Sequence, residues 1–348
     1  MIRALPFALV YLPAATLLVG MALGGYATAL TPLVVFVALP LVDAAVGHDA
    51  ATFTDGNPWF DRLLRLWVPV QVVVLAGVLH HVTTRPLAWY ELAGILGSTA
   101  LVTGGAGITI AHELMHRKAP LDRALAEGLM LMASYPHFCI EHVLGHHRNV
   151  ATPEDPATSR LGESLYVYLP RVIWQSLWSA VRLEAERTRK RGISWYDPRH
   201  RLTRYTAELA VILVLVAVAF GPAGAAFFLA QGALAALLLE TINYVEHYGL
   251  TRERTGDRWE TVQPRHSWNA NHRVSNWWLF NLQRHADHHA HAARPYWQLR
   301  AVEDGPQLPA SYPAMIVLAL FPPLWFRVMD PRTRLALQLG SRNGIAPR

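Results

Sequence analysis

The stretch "LQRHADHHAH", residues 282–291, places four histidines in ten positions of a chain that holds 17 in 348. His285, His288 and His289 are spaced i, i+3, i+4, so they share one face if the segment is helical, and His291 falls off that face. Three further groups carry the same residue type: His112 and His116 in "HELMHR", His142, His146 and His147 in "EHVLGHH", and His247 in "NYVEHYG". Neutral imidazole is a common metal ligand, and nine such donors are too many for one ion but fit two. Imidazole suits zinc, copper, nickel and iron alike, so ligand type does not choose the metal. Taken alone, HExxH would spell a zinc protease with Glu113 as general base, but a protease needs one further ligand and this chain offers many more.

Five carboxylates stand among these groups: Glu113, Glu141, Asp155, Glu246 and Asp287. A metal-bound histidine usually donates its other N–H to a carboxylate or carbonyl. On a helix an immediate neighbour points away from its own histidine, so each acid is expected to serve a histidine of another group. His137, His266, His272 and His291 are candidates for such supporting positions, while His80, His81 and His200 read as interfacial anchors or helix caps.

The elements that must position these side chains are membrane helices. The composition is 52% hydrophobic and only 16% charged, too apolar for an ordinary soluble protein and too charged to lie wholly in lipid. Apolar runs of about 20 residues fall near 6–23, 30–46, 66–82, 87–110, 205–220 and 223–244, the last two separated only by Gly221-Pro222. The first run is followed at once by another span, so it is expected to remain as a helix. Arg85 is the lone basic residue on one side of the resulting topology, which puts both termini and the long segments 111–204 and 245–348 in the cytoplasm. "GLMLMASYPHF" and "MIVLALFPPLWF" are too short or interrupted to span, and are expected to cap the bundle as interfacial helices. The expectation is one all-α integral membrane domain over 1–348: a six-helix bundle with a cytoplasmic helical cap that holds the histidines.

The net charge of +6 is explained by this topology, and the basic residues are not interleaved with stacking aromatics as in a nucleic-acid-binding module. One cysteine, Cys139, excludes an internal disulfide and any four-cysteine iron or zinc site within the chain. Electrons for redox chemistry must then come from another protein. A histidine-rich metal transporter would carry ionisable residues along its spans, and these spans are nearly free of them.

With these motifs in view, the sequence resembles the membrane-bound alkane 1-monooxygenases, in the superfamily that includes integral-membrane fatty acid desaturases and xylene monooxygenase. "HELMHR" is similar to the first histidine box, "EHVLGHHRNVATPEDPATSRLGES" to the second, "NYVEHYGL" to the alkane-hydroxylase signature and "LQRHADHHAHAARPYWQLR" to the third box. "HSWNAN" and "PLVDAAVGHD" also look familial, and the resemblance runs from about residue 30 to 330. It implies a non-haem di-iron centre held by the nine histidines at the cytoplasmic end of a six-helix bundle, in the inner membrane of a bacterium. It also implies O2 and n-alkane as substrates, 1-alkanol as product, and electrons from a rubredoxin fed by an NAD(P)H-dependent rubredoxin reductase.

The chemistry agrees: a terminal C–H bond offers no handle to acid or base and needs a redox metal with open positions, which excludes zinc. Arg189, Lys190 and Arg191 are candidates for docking the electron donor, and Trp89, Trp277, Trp278 and Phe280 for limiting how the alkane enters. The alternatives are hydroxylation of an aromatic methyl group and lipid desaturation at the same metals. Met115 before His116, and "AARPYWQL" after the third box, depart from the family pattern, which leaves chain-length preference open.

Overall fold

The computed structural model describes residues 2–343. Among these, five helices are long and apolar enough to cross a membrane: α1 (Arg3–Leu23), α2 (Gly25–Val46), α3 (Pro58–Thr84), α4 (Trp89–Met115) and one of 47 residues, Arg201–His247. The protein is therefore a multi-pass membrane protein. Between α4 and the long helix lie α5 (Pro120–Met132), α6 (138–149) and α7 (Leu165–Arg191); the long helix is α8. After it come a two-stranded hairpin of β1 (Arg254–Thr255) and β2 (Arg258–Trp259), then α9 (Arg273–Trp278), α10 (His285–Ala290), α11 (Tyr312–Ala319) and α12 (Pro322–Asn343).

Local sequence explains the main boundaries. The side chain of Asn57 accepts the N–H of Trp59, and Pro58 occupies the first turn of α3, where its missing N–H costs nothing. The expected fifth and sixth spans are the two helical halves of α8, which break at Gly221, whose φ of 71° and ψ of 177° suit glycine. Both halves of α8 reach the same short helix: Arg204 Nη2 bonds Glu127 Oε2 at 2.7 Å, and Gln231 Nε2 donates to the Met132 carbonyl at 2.8 Å. In a straight helix residues 204 and 231 would lie about 40 Å apart, whereas α5 offers both contacts within five residues. The chain therefore doubles back at Gly221-Pro222.

The helix α4 is the central span and is almost wholly inaccessible from residue 98 to 112. Its last turn is tied to the first turn of α3 by Arg117, which bonds Asp61 at 2.6 Å and Glu113 at 3.0 Å. The stretch "GLMLMASYPHF", expected to cap the bundle as an interfacial helix, is largely inaccessible. Leu129, Met130, Leu131, Ala133, Tyr135 and Phe138 are all buried, because α5 packs chiefly on the end of α4 and is further covered by α3, α6 and α8. "MIVLALFPPLWF" forms a helical hairpin: α11 turns Met315, Ile316 and Ala319 inward, and the turn into α12 leaves Leu320 and Phe321 exposed.

The segment around the third histidine group is anchored at three points. Asp43, at the end of α2, accepts the backbone N–H groups of Val274 at 2.9 Å and Ser275 at 3.2 Å, together with the Ser275 hydroxyl, and so caps α9. The buried guanidinium of Arg284 donates to the carbonyls of Asp49, Ala51 and Leu299 at 2.9, 2.8 and 2.7 Å. Asn269 Oδ1 accepts the N–H of Ala286 at 2.9 Å, fixing the first turn of α10.

Candidate metal centre

Nine histidines from four separate chain segments converge in two groups. His112, His116, His142, His147 and His288 form one, and His146, His247, His285 and His289 form the other, with one ring nitrogen from each member within 4.8 Å of the rest of its group. These are the nine that the four sequence groups supply. The order of the chain does not follow the groups, however. On α10, His285 and His289 enter the four-membered group while His288 enters the five-membered one. In α6, residues 142–146 form a wide π-turn, which frequently marks functional sites. It sends His142 and His147 to one group and His146 to the other.

Gly145 inside that turn matters for space: a Cβ there would stand 2.6 Å from Glu141 Oε1 and 3.1 Å from Leu183 Cδ1. The room that the sequence reserves at this position is filled by a carboxylate and a leucine.

The spacing of the nitrogens tests whether a cation fits. In the first group His142 Nε2 lies 3.2 Å from His116 Nε2 and 3.1 Å from His147 Nε2, which lies 3.2 Å from His288 Nε2. In the second, His285 Nε2 is 3.2 Å from His247 Nε2 and 2.9 Å from His289 Nε2, and His146 Nε2 is 3.3 Å from His289 Nε2. Two imidazoles each about 2.1 Å from one ion, at octahedral to tetrahedral angles, put their nitrogens roughly 3.0–3.4 Å apart. The observed values fall in or beside that interval, and His112 Nε2 is buried without a hydrogen-bond partner. Both groups therefore have the make-up of a metal site. Burial first, and then the neighbouring imidazoles, push His142, His147, His288 and His289 well below the ordinary histidine range, which keeps them neutral as ligands must be.

The five carboxylates divide. Asp155 takes the supporting position: His146 Nδ1 lies 3.0 Å from its Oδ2, and Thr158 and the N–H of Ala157 complete its shell. Burial opposes charge on both partners, but their attraction prevails, raising His146 to about 9 and lowering Asp155. In the neutral ring an Nδ1–H donated to Asp155 leaves Nε2 to face the group, where a metal ion would displace the second proton that this pairing favours. Glu246 Oε2 lies 3.2 Å from His285 Nε2, on the side where the nitrogens converge rather than behind the ring.

The other three acids have other partners. Glu113 pairs with Arg117, Glu141 accepts the Ser179 hydroxyl at 3.3 Å, and Asp287 binds Arg294 and the N–H of Arg300. Asp287 also stands 3.4 Å from His291 Nδ1, and His291 is half exposed and belongs to neither group. Among the other histidines, His266 pairs with Glu260, His272 stacks edge-on against His48, and His137 packs on Tyr135. His200 caps α8 through Thr203.

A buried network beside the groups escaped the sequence reading. The Tyr135 hydroxyl donates to Glu240 Oε1 at 2.9 Å, and Asn243 Nδ2 donates to Glu240 Oε2 at 3.0 Å. The available signal was Glu240 itself, an ionisable residue within an otherwise apolar run. Asn243 borders a narrow cavity that touches His112, His142 and His285, and whose other walls include Gly104, Ile108 and Ile242. Ile242 also borders a second, apolar cavity lined by Val35, Phe36, Leu101, Trp278 and Ile316. Of the aromatic residues expected to limit entry, Trp278 lines this second cavity and Phe280 a small one beside Glu113 and His288. Trp89 is exposed, and Trp277 packs against the core.

Helices long and apolar enough to cross a membrane bring histidines from four segments into two groups, the mark of a membrane protein with a candidate metal centre, and a model of the fatty acid desaturase family matches residues 87–319. The chain is 44% identical over 314 residues to alkane 1-monooxygenase 2 of Pseudomonas aeruginosa, covering 86% of this chain and 82% of that one. It is 35% identical to alkane 1-monooxygenase of Acinetobacter baylyi, over 89% of this chain and 76% of the other. A xylene/toluene monooxygenase hydroxylase component of Pseudomonas putida is 28% identical over 91% and 85% of the two chains. This chain belongs to the membrane-bound alkane 1-monooxygenase family, within the fatty acid desaturase superfamily.

Proposed function

We propose that this protein is an alkane 1-monooxygenase that converts an n-alkane, O2, two electrons and two protons into a 1-alkanol and water. The observation that carries the reading is the convergence of nine imidazole nitrogens in two groups at the end of a narrow cavity between membrane helices. In this reading His112, His116, His142, His147 and His288 hold one iron, and His146, His247, His285 and His289 hold the other. The two irons supply, when bound, the high-potential oxidant that a terminal C–H bond requires.

The chain's own residues supply position and protection. Asp155 keeps the proton on His146 Nδ1, Asn243 and Tyr135 orient Glu240, and Asp287 acts through Arg294 and the Arg300 backbone on the α10 segment. Glu113 with Arg117, and Glu141 with Ser179, brace the helices that carry the ligands. Gly104, Ile108 and Ile242 form the dry part of the cavity, into which an alkane passes from lipid with little desolvation cost.

With the reversal at Gly221 counted as two crossings, the chain crosses the inner membrane six times as one domain, with both termini and the helical cap in the cytoplasm. The electrons come from a rubredoxin and its NAD(P)H-dependent reductase. The test is one purified preparation measured twice: metal content first, then gas chromatography of products after supplying rubredoxin, reductase, NAD(P)H and alkanes of several lengths. Two irons and a 1-alkanol are expected. Zinc in place of iron, or no alkanol from any chain length, overturns the reading, and alkene or an aromatic alcohol as the main product would move it to desaturation or aromatic-methyl hydroxylation.

A further inference from the structure

Two exposed apolar surfaces outside the five long apolar helices meet at one point. The helix α7 buries Leu165, Tyr168, Val172, Ser176 and Ala180 along one side. On the opposite side its first half presents Tyr166, Val167, Trp174 and Trp178, at 58, 60, 62 and 44% exposure. Its second half presents Arg182, Glu186, Arg189 and Lys190 on the exposed side. One helix thus changes from apolar and aromatic to charged, with the Trp174–Trp178 pair, 5.6 Å between ring centroids, at the change. The one arginine in its first half is paired: Arg171 bonds Glu163, just before the helix, at 2.7 Å.

The second surface is the turn between α11 and α12, where Leu320, Phe321 and Leu324 are about half exposed. The Tyr166 hydroxyl donates to the Leu320 carbonyl at 2.8 Å, which joins the two surfaces. The depth of the turn follows from its neighbours. The backbone N–H of Tyr312 is bonded to Gln283, next to the ligand segment, and one turn later Ile316 lies with Val35 and Phe36, the middle of α2. Eight residues of helix carry the chain about 12 Å from residue 312 to residue 320, toward the spans. The return helix then packs Trp325 on Tyr244 and Tyr248.

We infer that the first half of α7 and the α11–α12 turn are seated in the cytoplasmic leaflet, touching acyl chains at Val167 and Phe321 and headgroups at Trp174, Trp178 and the basic end of α7. Three observations favour lipid over another protein: the patch is continuous with the membrane spans through α11 on α2, its aromatic residues stand where an apolar face gives way to charge, and the charge beyond them is mainly basic, which suits anionic headgroups. The cap is then held against the bilayer by its own surface as well as by the spans. This inference rests on the membrane location and not on the chemistry at the histidines, so the two fail separately.

The test is site-directed spin labelling of the full chain in nanodiscs of phosphatidylcholine and phosphatidylglycerol. On a Cys139→Ala background, Val167→Cys and Phe321→Cys labels are expected to be accessible to O2 and shielded from a water-soluble nickel chelate, with a Glu186→Cys label showing the reverse. Nickel access at 167 and 321 overturns the inference, and so does shielding from both reagents, which would mean that a second copy covers the patch. A second measurement avoids the cysteine background: brominated lipid should quench the fluorescence of Trp174→Phe/Trp178→Phe by a smaller fraction than the unaltered protein. Unchanged quenching would remove the headgroup contact.

Discussion

The two histidine groups are built from the same side chain but sit in different surroundings. All four members of the smaller group are buried, and two of its rings meet carboxylates, His146 at Asp155 and His285 at Glu246. In the larger group His116 and His147 are only half buried, and its rings meet mainly one another, with His142 stacked on Phe138. The smaller group thus meets charge on two sides, Asp155 behind the His146 ring and Glu246 at the His285 Nε2 where the nitrogens converge, whereas the larger is held by packing and by sheer ligand number. A site held by carboxylates keeps its ion through ligand basicity; one with accessible rings exchanges ions and protons with its surroundings more readily.

The strongest way to break this contrast is to remove one ligand from each side. His288→Ala and His289→Ala should each reduce alkanol formation to background, and elemental analysis should find about half of the metal lost in either variant. Loss of all metal from both would mean that the groups bind as one unit. The next largest effect is expected from Asp155→Asn, which keeps the shape and removes the charge behind His146. A fall in metal affinity of about 10–100-fold, confined to one of the two ions, is the usual scale for such a partner; metal titration would show an unsplit loss if the smaller group did not depend on its carboxylate.

A smaller effect tests the cavity rather than the ions. A Cβ at Gly105 would stand 3.2 Å from the Trp278 ring, so Gly105→Ala should narrow the second cavity while leaving metal content unchanged. Competition between alkanes should then shift toward shorter chains by roughly tenfold, the low end of what one methylene's misfit costs in a pocket. The smallest effect belongs to His291→Ala. Its ring is half exposed and pairs with Asp287, so activity should stay within about twofold, the usual range for a surface change, with iron retained. Iron loss there would enlarge the ligand set.

Much of this arrangement was readable in advance, and the reason is spacing. Residues i, i+3 and i+4 of one short helix must share a face, and the π-turn that separates His146 from His147 changes which group each joins without removing either from the site. The division into groups was not readable, because it depends on how α4, α6, α8 and α10 pack. The same limit explains the carboxylates. Proximity in sequence put Glu113, Glu141 and Asp287 beside histidines, yet Arg117, Ser179 and Arg294 claim them; the Glu113–Arg117 pair is an i,i+4 contact that the sequence does carry, whereas Ser179 comes from the middle of α7 and Arg294 from the loop after α10, whose approach no local pattern encodes. Apolar composition likewise located the spans but could not distinguish a helix buried by its neighbours, as α5 is, from one that faces lipid, as the first half of α7 does. Gly221-Pro222 was legible as a break, while the antiparallel course of the two halves follows only from their shared contacts with α5.

Arg284 bears on biosynthesis as well as on architecture. Its guanidinium gathers carbonyls from residues 49, 51 and 299 around the third histidine group, so the last ligands cannot settle until the ribosome has delivered nearly the whole chain. The early helices enter the membrane first and wait. On the proposed reading metal loading is a late event, deferred until a loop made near the beginning meets a stretch of chain made near the end, and a product truncated before residue 299 is expected to insert into the bilayer without closing its centre.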